Sequence, residues 1–150
     1  MNDGGRAVAR SPRRAASAAA ATFALAGVLG LASCAAPAST NDAYAKITAD
    51  EGAALMESGD PVIVDVRTPQ EYADGHIPGA INIPVETIGA DKPAELSDAD
   101  AELIVYCRTG VRSKQASDKL IAMGYQHVND MGGIVDWTGE KVTGTEPGDK

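Results

Sequence analysis

The residues of this sequence best suited to chemistry are one cysteine and two nearby arginines. Cys107 ends the apolar, β-rich run 103–106, and a short turn with Gly110 leads into a segment with helical spacing. The sulfur is therefore predicted at a strand-to-helix corner, where helix N–H groups are unpaired and the dipole adds partial positive charge. Arg108 and Arg112 add two fixed charges. Such a setting favours a thiolate, the reactive form of a cysteine.

The other cysteine, Cys34, closes an N-terminal segment typical of an export signal. A basic start with four arginines precedes the uncharged, alanine-rich run 15–31, and Leu31-Ala32-Ser33-Cys34 follows. These last four residues resemble the lipobox of bacterial lipoproteins, which implies that Cys34 becomes the first mature residue and carries the lipid. The alternative is an uncleaved membrane helix over 15–36, which is nearly long enough to span a bilayer but only weakly apolar.

Removal of residues 1–33 would leave 117 of the 150 residues, enough for one compact domain with a modest core. It removes four Arg and one Asp, which changes the formal charge from −8 to −11. An acidic domain is not suited to bind nucleic acid. Because Cys34 would carry lipid, Cys107 would be the only thiol, and a lone thiol outside the cell must be buried or chemically used.

Strand and helix signals alternate along the rest of the chain. Strands are predicted near 44–47, 61–66, 80–83, 103–106 and 126–131. Capping boxes at Thr48 and Thr68 begin helices that end near Gly59, expected as a left-handed stop, and near Gly75. A third helix follows Cys107. This alternation predicts an α/β fold, a central parallel sheet of about five strands with helices on both faces.

The remaining segments give weaker signals. Residues 86–100 are expected to form a loop with one irregular helical turn at most, since Gly89 and Pro93 interrupt any periodicity. Gly124 is expected to end the third helix, and 132–137 to form a final turn or short helix. The chain thus divides into a signal over 1–33, a flexible tether over 34–43, a folded domain over 44–138 and a frayed tail over 139–150.

Several separated motifs, in order, resemble a single-domain rhodanese, and the likeness runs from about residue 47 to 137. These motifs are Asp65-Val66-Arg67, Glu71-Tyr72, the stretch from Gly75 to Pro84, Cys107-Arg108-Thr109-Gly110-Val111-Arg112-Ser113, and Gly132-Gly133 with Trp137. The resemblance implies a rhodanese-like fold and a thiosulfate-type sulfurtransferase. Its sulfane sulfur would be carried as a persulfide on Cys107.

The resemblance also assigns roles around that cysteine. N–H groups of the loop Arg108, Thr109, Gly110, Val111 and Arg112 would surround the sulfur, and Arg112 would close the loop. Arg108 is the side chain placed to meet the sulfonate of an anionic donor. Asp65 and Arg67 are interpreted as supporting residues, Arg67 pairing with Asp65 or Glu71. His76 and His127 are interpreted as structural, and Trp137 as a core or pocket-wall residue.

Two other functions remain open on the sequence. One is a catalytically silent rhodanese-like module that binds a partner protein. The other is a thiolate phosphatase or arsenate reductase, although related cysteine phosphatases place five residues between Cys and Arg and this chain has four, which leaves less room for a tetrahedral phosphate.

The predicted partners are a thiosulfate-like sulfur donor and a thiol or cyanide-like acceptor, with no nucleic acid, cofactor or metal. The protein is predicted to be a monomer, anchored by lipidated Cys34 to the outer face of the bacterial cell membrane or in the periplasm.

Overall fold

A computed structural model of the protein describes residues 42–89 and 91–149. The predicted signal, Cys34 and most of the predicted tether lie outside the described residues. Five strands and three α-helices are formed within them, followed by a short 3-10 helix, Ile134–Asp136. In chain order the elements are β1 (Tyr44–Lys46), α1 (Ala49–Ser58), β2 (Val62–Asp65), α2 (Pro69–Asp74), β3 (Ile81–Asn82), β4 (Glu102–Cys107), α3 (Val111–Ala122) and β5 (His127–Gly133).

The strands form one sheet in the order β1-β5-β4-β2-β3, and every neighbouring pair is parallel. This confirms the predicted α/β class and the five-stranded parallel sheet. Because all strands run the same way, their carboxyl ends share one edge, where ligands bind in sheets of this kind. β4 is the central strand, so Cys107 at its end lies in the middle of that edge.

The central strand is buried on both faces, as its continuous apolar sequence predicts. Leu103 and Val105 pack with Ala116 and Leu120 of α3 on one face. The alternate β4 residues belong to a second cluster on the other face, with side chains of α1 and α2, and this cluster includes Ile104, Tyr106, Leu55 and Tyr72. The prediction of helices on both faces is confirmed.

Both predicted capping boxes are formed. The Glu51 N–H donates to the Thr48 hydroxyl oxygen at 3.2 Å, and the Thr48 N–H donates to the Glu51 carboxylate at 2.7 Å. Thr68 and Glu71 do the same ahead of α2. The expected left-handed stop at Gly59 is wrong. Its φ of −139° and ψ of −165° are extended, because the chain turns directly into β2.

The predicted frayed tail is also wrong for most of its length. Val142 forms both backbone hydrogen bonds of an antiparallel bridge with His76, at 2.8 and 2.9 Å. Further bonds join Gly144 to Ala73 and Pro147 to Gly79. Composition suggested fraying because the segment is short and polar, but backbone pairing rather than apolar burial holds it.

The other predicted details agree with the structure. The described part of 86–100 contains turns but neither helix nor strand. Gly124, at φ +95°, lies one residue beyond the Met123 cap of α3. None of the helices in residues 42–89 and 91–149 has the length and apolar character needed to cross a bilayer.

Candidate active site

Cys107 lies where the sequence places it, between the end of β4 and the start of α3. Its side chain is buried, with 1% of the residue exposed, and it borders the core cluster beneath α3. The Gly110 N–H donates to Cys107 Sγ at 3.1 Å. A cysteine that served only as a small hydrophobe would not need this contact. The sulfur therefore lies in a polar setting at a helix start.

The loop after the cysteine depends on glycines in the loop and beneath it. Gly110 is the N-cap of α3 at φ +100°, a region that glycine occupies without strain. A Cβ on Gly133 would lie 2.6 Å from the Arg108 carbonyl oxygen and 2.9 Å from Thr109 Cα. Gly132-Gly133 is therefore the flat surface against which the cysteine loop packs.

A bulge in β5 produces this close approach. Val105 pairs with Asp130 but Tyr106 pairs with Gly132, so Met131 is the extra residue. Gly132 has φ +86°. β-Bulges often redirect a strand next to an active site, and here the bulge carries Gly133 beneath the loop.

Arg112, predicted to close the loop, is held by a carboxylate from another element. Its two terminal nitrogens donate to the two oxygens of Glu71, at 2.7 and 2.8 Å. These bonds from Arg112, together with those from Thr68, lower the pKa of Glu71 to about 2 despite partial burial. The Glu71 bonds likewise raise the pKa of Arg112. The pair ties the cysteine loop to the start of α2.

Asp65 and Arg67 form a second ion pair, so of the two predicted partners of Arg67 it is Asp65 that binds it. Arg67 Nε lies 3.0 Å from both Asp65 oxygens, and Nη2 donates to the Gly75 carbonyl at 2.7 Å. Burial works to lower the pKa of Arg67, but the bonds and charge of Asp65 outweigh it and raise the pKa. Both residues are buried, so the pair fixes the turn between β2 and α2.

A buried carboxylate supports the loop from the sheet side. Asp130 is 1% exposed and accepts from the Ser113 hydroxyl at 2.6 Å and from the Gly132 N–H at 3.0 Å. Ser113 Oγ is also 3.0 Å from the Gly110 carbonyl oxygen. Lys46 lies 3.3 Å from Asp130 and balances its charge. Asp130 thus connects the bulge to the turn that contacts the sulfur.

A cleft of about 250 Å³ adjoins the loop, and Arg108 contributes to its lining. Its other lining residues are Arg67, Glu71, Asp74, Ile134, Val135 and Lys141. The Val135 side chain is largely open to solvent, with 60% of the residue exposed. Its N–H donates to the Arg108 carbonyl at 3.3 Å, which keeps it close to the loop. Cations and carboxylates therefore line this cleft together.

The predicted loop, Arg108 to Arg112, forms one corner beside the sulfur, and within that loop it is the Gly110 N–H that donates a hydrogen bond to Cys107 Sγ. Thr109 and Val111 are exposed. His76 is buried and contacts the Tyr72 and Glu146 carbonyls, in keeping with a structural role. Trp137 lines a separate apolar groove between α1 and residues 137–140.

The positions of three residues do not follow from the sequence. Glu71, a predicted partner of Arg67, pairs instead with Arg112. Asp130 bonds to Ser113 beneath the loop, and Lys141 lines the cleft. Two sequence signals include Glu71, the Thr68 capping box and the Glu71-Tyr72 motif, but neither indicates that its carboxylate pairs with Arg112. In residues 42–89 and 91–149, no three His, Cys, Asp or Glu side chains are grouped as metal ligands.

Comparison with known proteins identifies the family. The profile of the rhodanese-like domain matches residues 48–140, more than half of the chain. The chain belongs to the rhodanese-like family. Among its relatives, thiosulfate sulfurtransferase PspE of Escherichia coli (strain K12) is 40% identical over 81 residues, which cover 54% of this chain and 78% of the relative. A sulfurtransferase of Allochromatium vinosum is 41% identical over 86 residues, covering 55% and 77%.

Solved structures agree with this assignment. A rhodanese with anions from E. coli superimposes with a TM-score of 0.52 at 38% identity, covering 56% of this chain and 99% of the other. The human single domain sulfurtransferase TSTD1 gives 0.53 at 30% identity, covering 63% and 94%. The predicted rhodanese fold is confirmed, and the predicted sulfurtransferase class of enzyme is confirmed at the level of the family.

Proposed function

We propose that this rhodanese-like protein transfers sulfane sulfur from a thiosulfate-like donor to a thiophilic acceptor through a persulfide on Cys107. The observation that carries the proposal is the 3.1 Å hydrogen bond from the Gly110 N–H to Cys107 Sγ at the start of α3. A backbone N–H and a helix N-terminus both favour negative charge on sulfur. They stabilise the thiolate before transfer and the persulfide after it.

The reaction proceeds in two displacements. The Cys107 thiolate attacks the outer sulfur of thiosulfate, a sulfur–sulfur bond forms to Sγ, the donor's sulfur–sulfur bond breaks, and sulfite leaves with that electron pair. The acceptor, cyanide or a thiolate, then attacks the outer persulfide sulfur and releases the Cys107 thiolate. Because the attacking group in each step is already an anion, and sulfite or the Cys107 thiolate leaves as an anion, neither displacement needs a general base.

The three arginines near the site have different roles because their hydrogen-bond partners differ. Arg112 is occupied by Glu71 through two hydrogen bonds, so its role is to hold the loop and to place positive charge near the thiolate. Arg67 is occupied by Asp65. Arg108 is exposed, forms no ion pair among the described residues, and is free to bind the donor's sulfonate.

Thiocyanate formation from thiosulfate and cyanide tests the proposal. The purified protein is expected to turn over, and Cys107→Ser is expected to lose all turnover because it cannot hold the sulfane sulfur. Ser117→Ala is a suitable control, since Ser117 is buried in α3 and, among the described residues, its hydroxyl donates only to the Ser113 carbonyl. Equal activity in Cys107→Ser would overturn the proposal.

The same preparation separates the other two functions. Hydrolysis of a phosphate ester or reduction of arsenate, without thiocyanate formation, would favour the phosphatase-like alternative. A silent binding module would show no sulfur adduct with any donor while retaining a co-purifying protein.

We also propose that the protein is exported and anchored through a lipid on Cys34, at the outer face of the bacterial membrane or in the periplasm, and acts as a monomer. The support is the Leu31-Ala32-Ser33-Cys34 motif after a basic and alanine-rich start. Mass spectrometry of the native protein is expected to find a chain beginning at lipidated Cys34. A chain still beginning at Met1, or an unmodified residue 34, would contradict this.

A further inference from the structure

We propose that Lys141 forms, with Arg108, the subsite that binds the sulfonate end of the anionic sulfur donor. The inference rests on the proposed sulfur transfer and adds a binding residue to it. Both residues line the cleft beside the cysteine loop. Lys141 lies one residue beyond the 48–140 match to the family profile, so the C-terminal segment supplies it.

The backbone holds Lys141 in place. The next residue, Val142, is fixed by its two hydrogen bonds to His76, at 2.8 and 2.9 Å. His76 is itself fully buried, stacks on Tyr72 and contacts the Glu146 carbonyl at 3.0 Å. Because the bridge clamps the chain directly after Lys141, this lysine emerges at a defined point of the cleft rim.

The balance of charge in the cleft indicates which groups are available to an anion. Arg67 is neutralised by Asp65, and Glu71 is neutralised by Arg112. Within residues 42–89 and 91–149, Asp74 accepts a side-chain hydrogen bond from Gln70 alone, at 2.9 Å. These pairings leave two cationic side chains, Arg108 and Lys141, that form no ion pair within the described chain.

Asp74 is the opposing charge in this cleft. Its carboxylate has no cationic partner among the described residues, so it repels an incoming dianion. Two cations and one carboxylate leave a net positive cleft on a protein whose formal charge is −8. A local positive field of this kind concentrates an anionic substrate.

Steady-state kinetics with thiosulfate test the subsite. Lys141→Gln is expected to raise KM roughly threefold to tenfold, because it removes one exposed charge contact with the substrate. The kcat should stay within about twofold of wild type. Asp74→Asn is expected to lower KM. Lys92→Gln, which removes a lysine placed over the Tyr125 ring and outside the cleft, should leave KM unchanged. The Lys141 effect should shrink in high salt.

A binding measurement separates this inference from the chemistry. Thiosulfate is titrated into isotope-labelled Cys107→Ser protein and into its Lys141→Gln double variant, and amide shifts are followed by NMR. Thiosulfate binding that is roughly threefold to tenfold weaker in the double variant supports the subsite even if the wild type shows no turnover. Equal thiosulfate affinity in the two proteins, or an unchanged KM in Lys141→Gln, would overturn it.

Discussion

Cys107 combines the burial of a core residue with a polar contact to its sulfur. The motif from Cys107 to Arg112 allowed this residue to be predicted, because a strand followed directly by a glycine turn and a helix fixes where the sulfur lies. The partners of the charged residues could not be predicted in the same way. Glu71 and Arg112 are separated by 41 positions, and local sequence spacing does not determine which of several arginines a carboxylate meets.

The ion pair between Glu71 and Arg112 makes a prediction about stability and pH. The pKa of Glu71 in the folded protein is about 2, below its ordinary value of 4.5. A lowered folded-state pKa means that the carboxylate's stabilisation is complete above pH 4.5 and is lost as pH falls towards 2. Glu71→Gln should therefore lower the free energy of unfolding at neutral pH, and the difference from wild type should vanish near pH 2.

Urea denaturation at several pH values measures this difference. Glu57→Gln, on an exposed part of α1, removes the same charge without breaking an ion pair and should show little effect at any pH. A Glu71→Gln difference that stays constant from pH 7 to about pH 2 would mean that the ion pair adds nothing to stability.

At the level of elements, the strands and helices followed their sequence signals closely, while the contacts between them did not. Alternating apolar runs, two capping boxes and Gly124 fixed the element order. Two features of the site were not visible in that pattern: the bulge at Met131, which brings Gly133 beneath the loop, and the bridge from Val142 to His76. Both depend on backbone pairing between distant segments, which side-chain composition does not report.

The contact beneath the cysteine loop predicts a large effect of one methyl group. Gly133→Ala would place Cβ 2.6 Å from the Arg108 carbonyl oxygen, so the loop must move. We expect a loss of about 1–3 kcal/mol in unfolding free energy, together with reduced thiosulfate turnover. Gly89→Ala is the matched control, because its Cβ would lie 4.0 Å from the nearest atom. Wild-type stability and turnover in Gly133→Ala would contradict the proposed packing.

The C-terminal bridge predicts slow amide exchange in a segment whose composition suggests fraying. The Val142 and Gly144 N–H groups donate to the carbonyls of His76 and Ala73, at 2.9 Å each. Hydrogen exchange at these two amides should be at least about tenfold slower than in an unfolded peptide. Exchange at the unfolded rate would show that the segment is not held, and Lys141 would then lose its fixed position.

At the level of the whole molecule, every residue of the proposed site lies between Asp65 and Lys141, within the unit formed by residues 37–150. The sequence predicted that a single domain would follow the N-terminal segment. It could not show that the end of the chain returns to the site, because that path depends on the turn around His76.

This arrangement predicts that the N-terminal segment is not needed for chemistry. A protein beginning at Pro37 should fold and form thiocyanate with kcat/KM within about twofold of the full chain. Circular dichroism and the cyanide assay check both points together. Loss of turnover in a folded Pro37–Lys150 protein would show that the first 36 residues contribute to the site.

The central claim is that Cys107 carries the transferred sulfur, and intact-mass analysis tests it most directly. After incubation with thiosulfate and removal of excess donor, the protein should gain about 32 Da, the mass of one sulfur atom, localised to Cys107. The gain should disappear on addition of cyanide and be absent in Cys107→Ser. A protein that forms thiocyanate but never gains this mass, or that gains it equally without Cys107, would contradict the account.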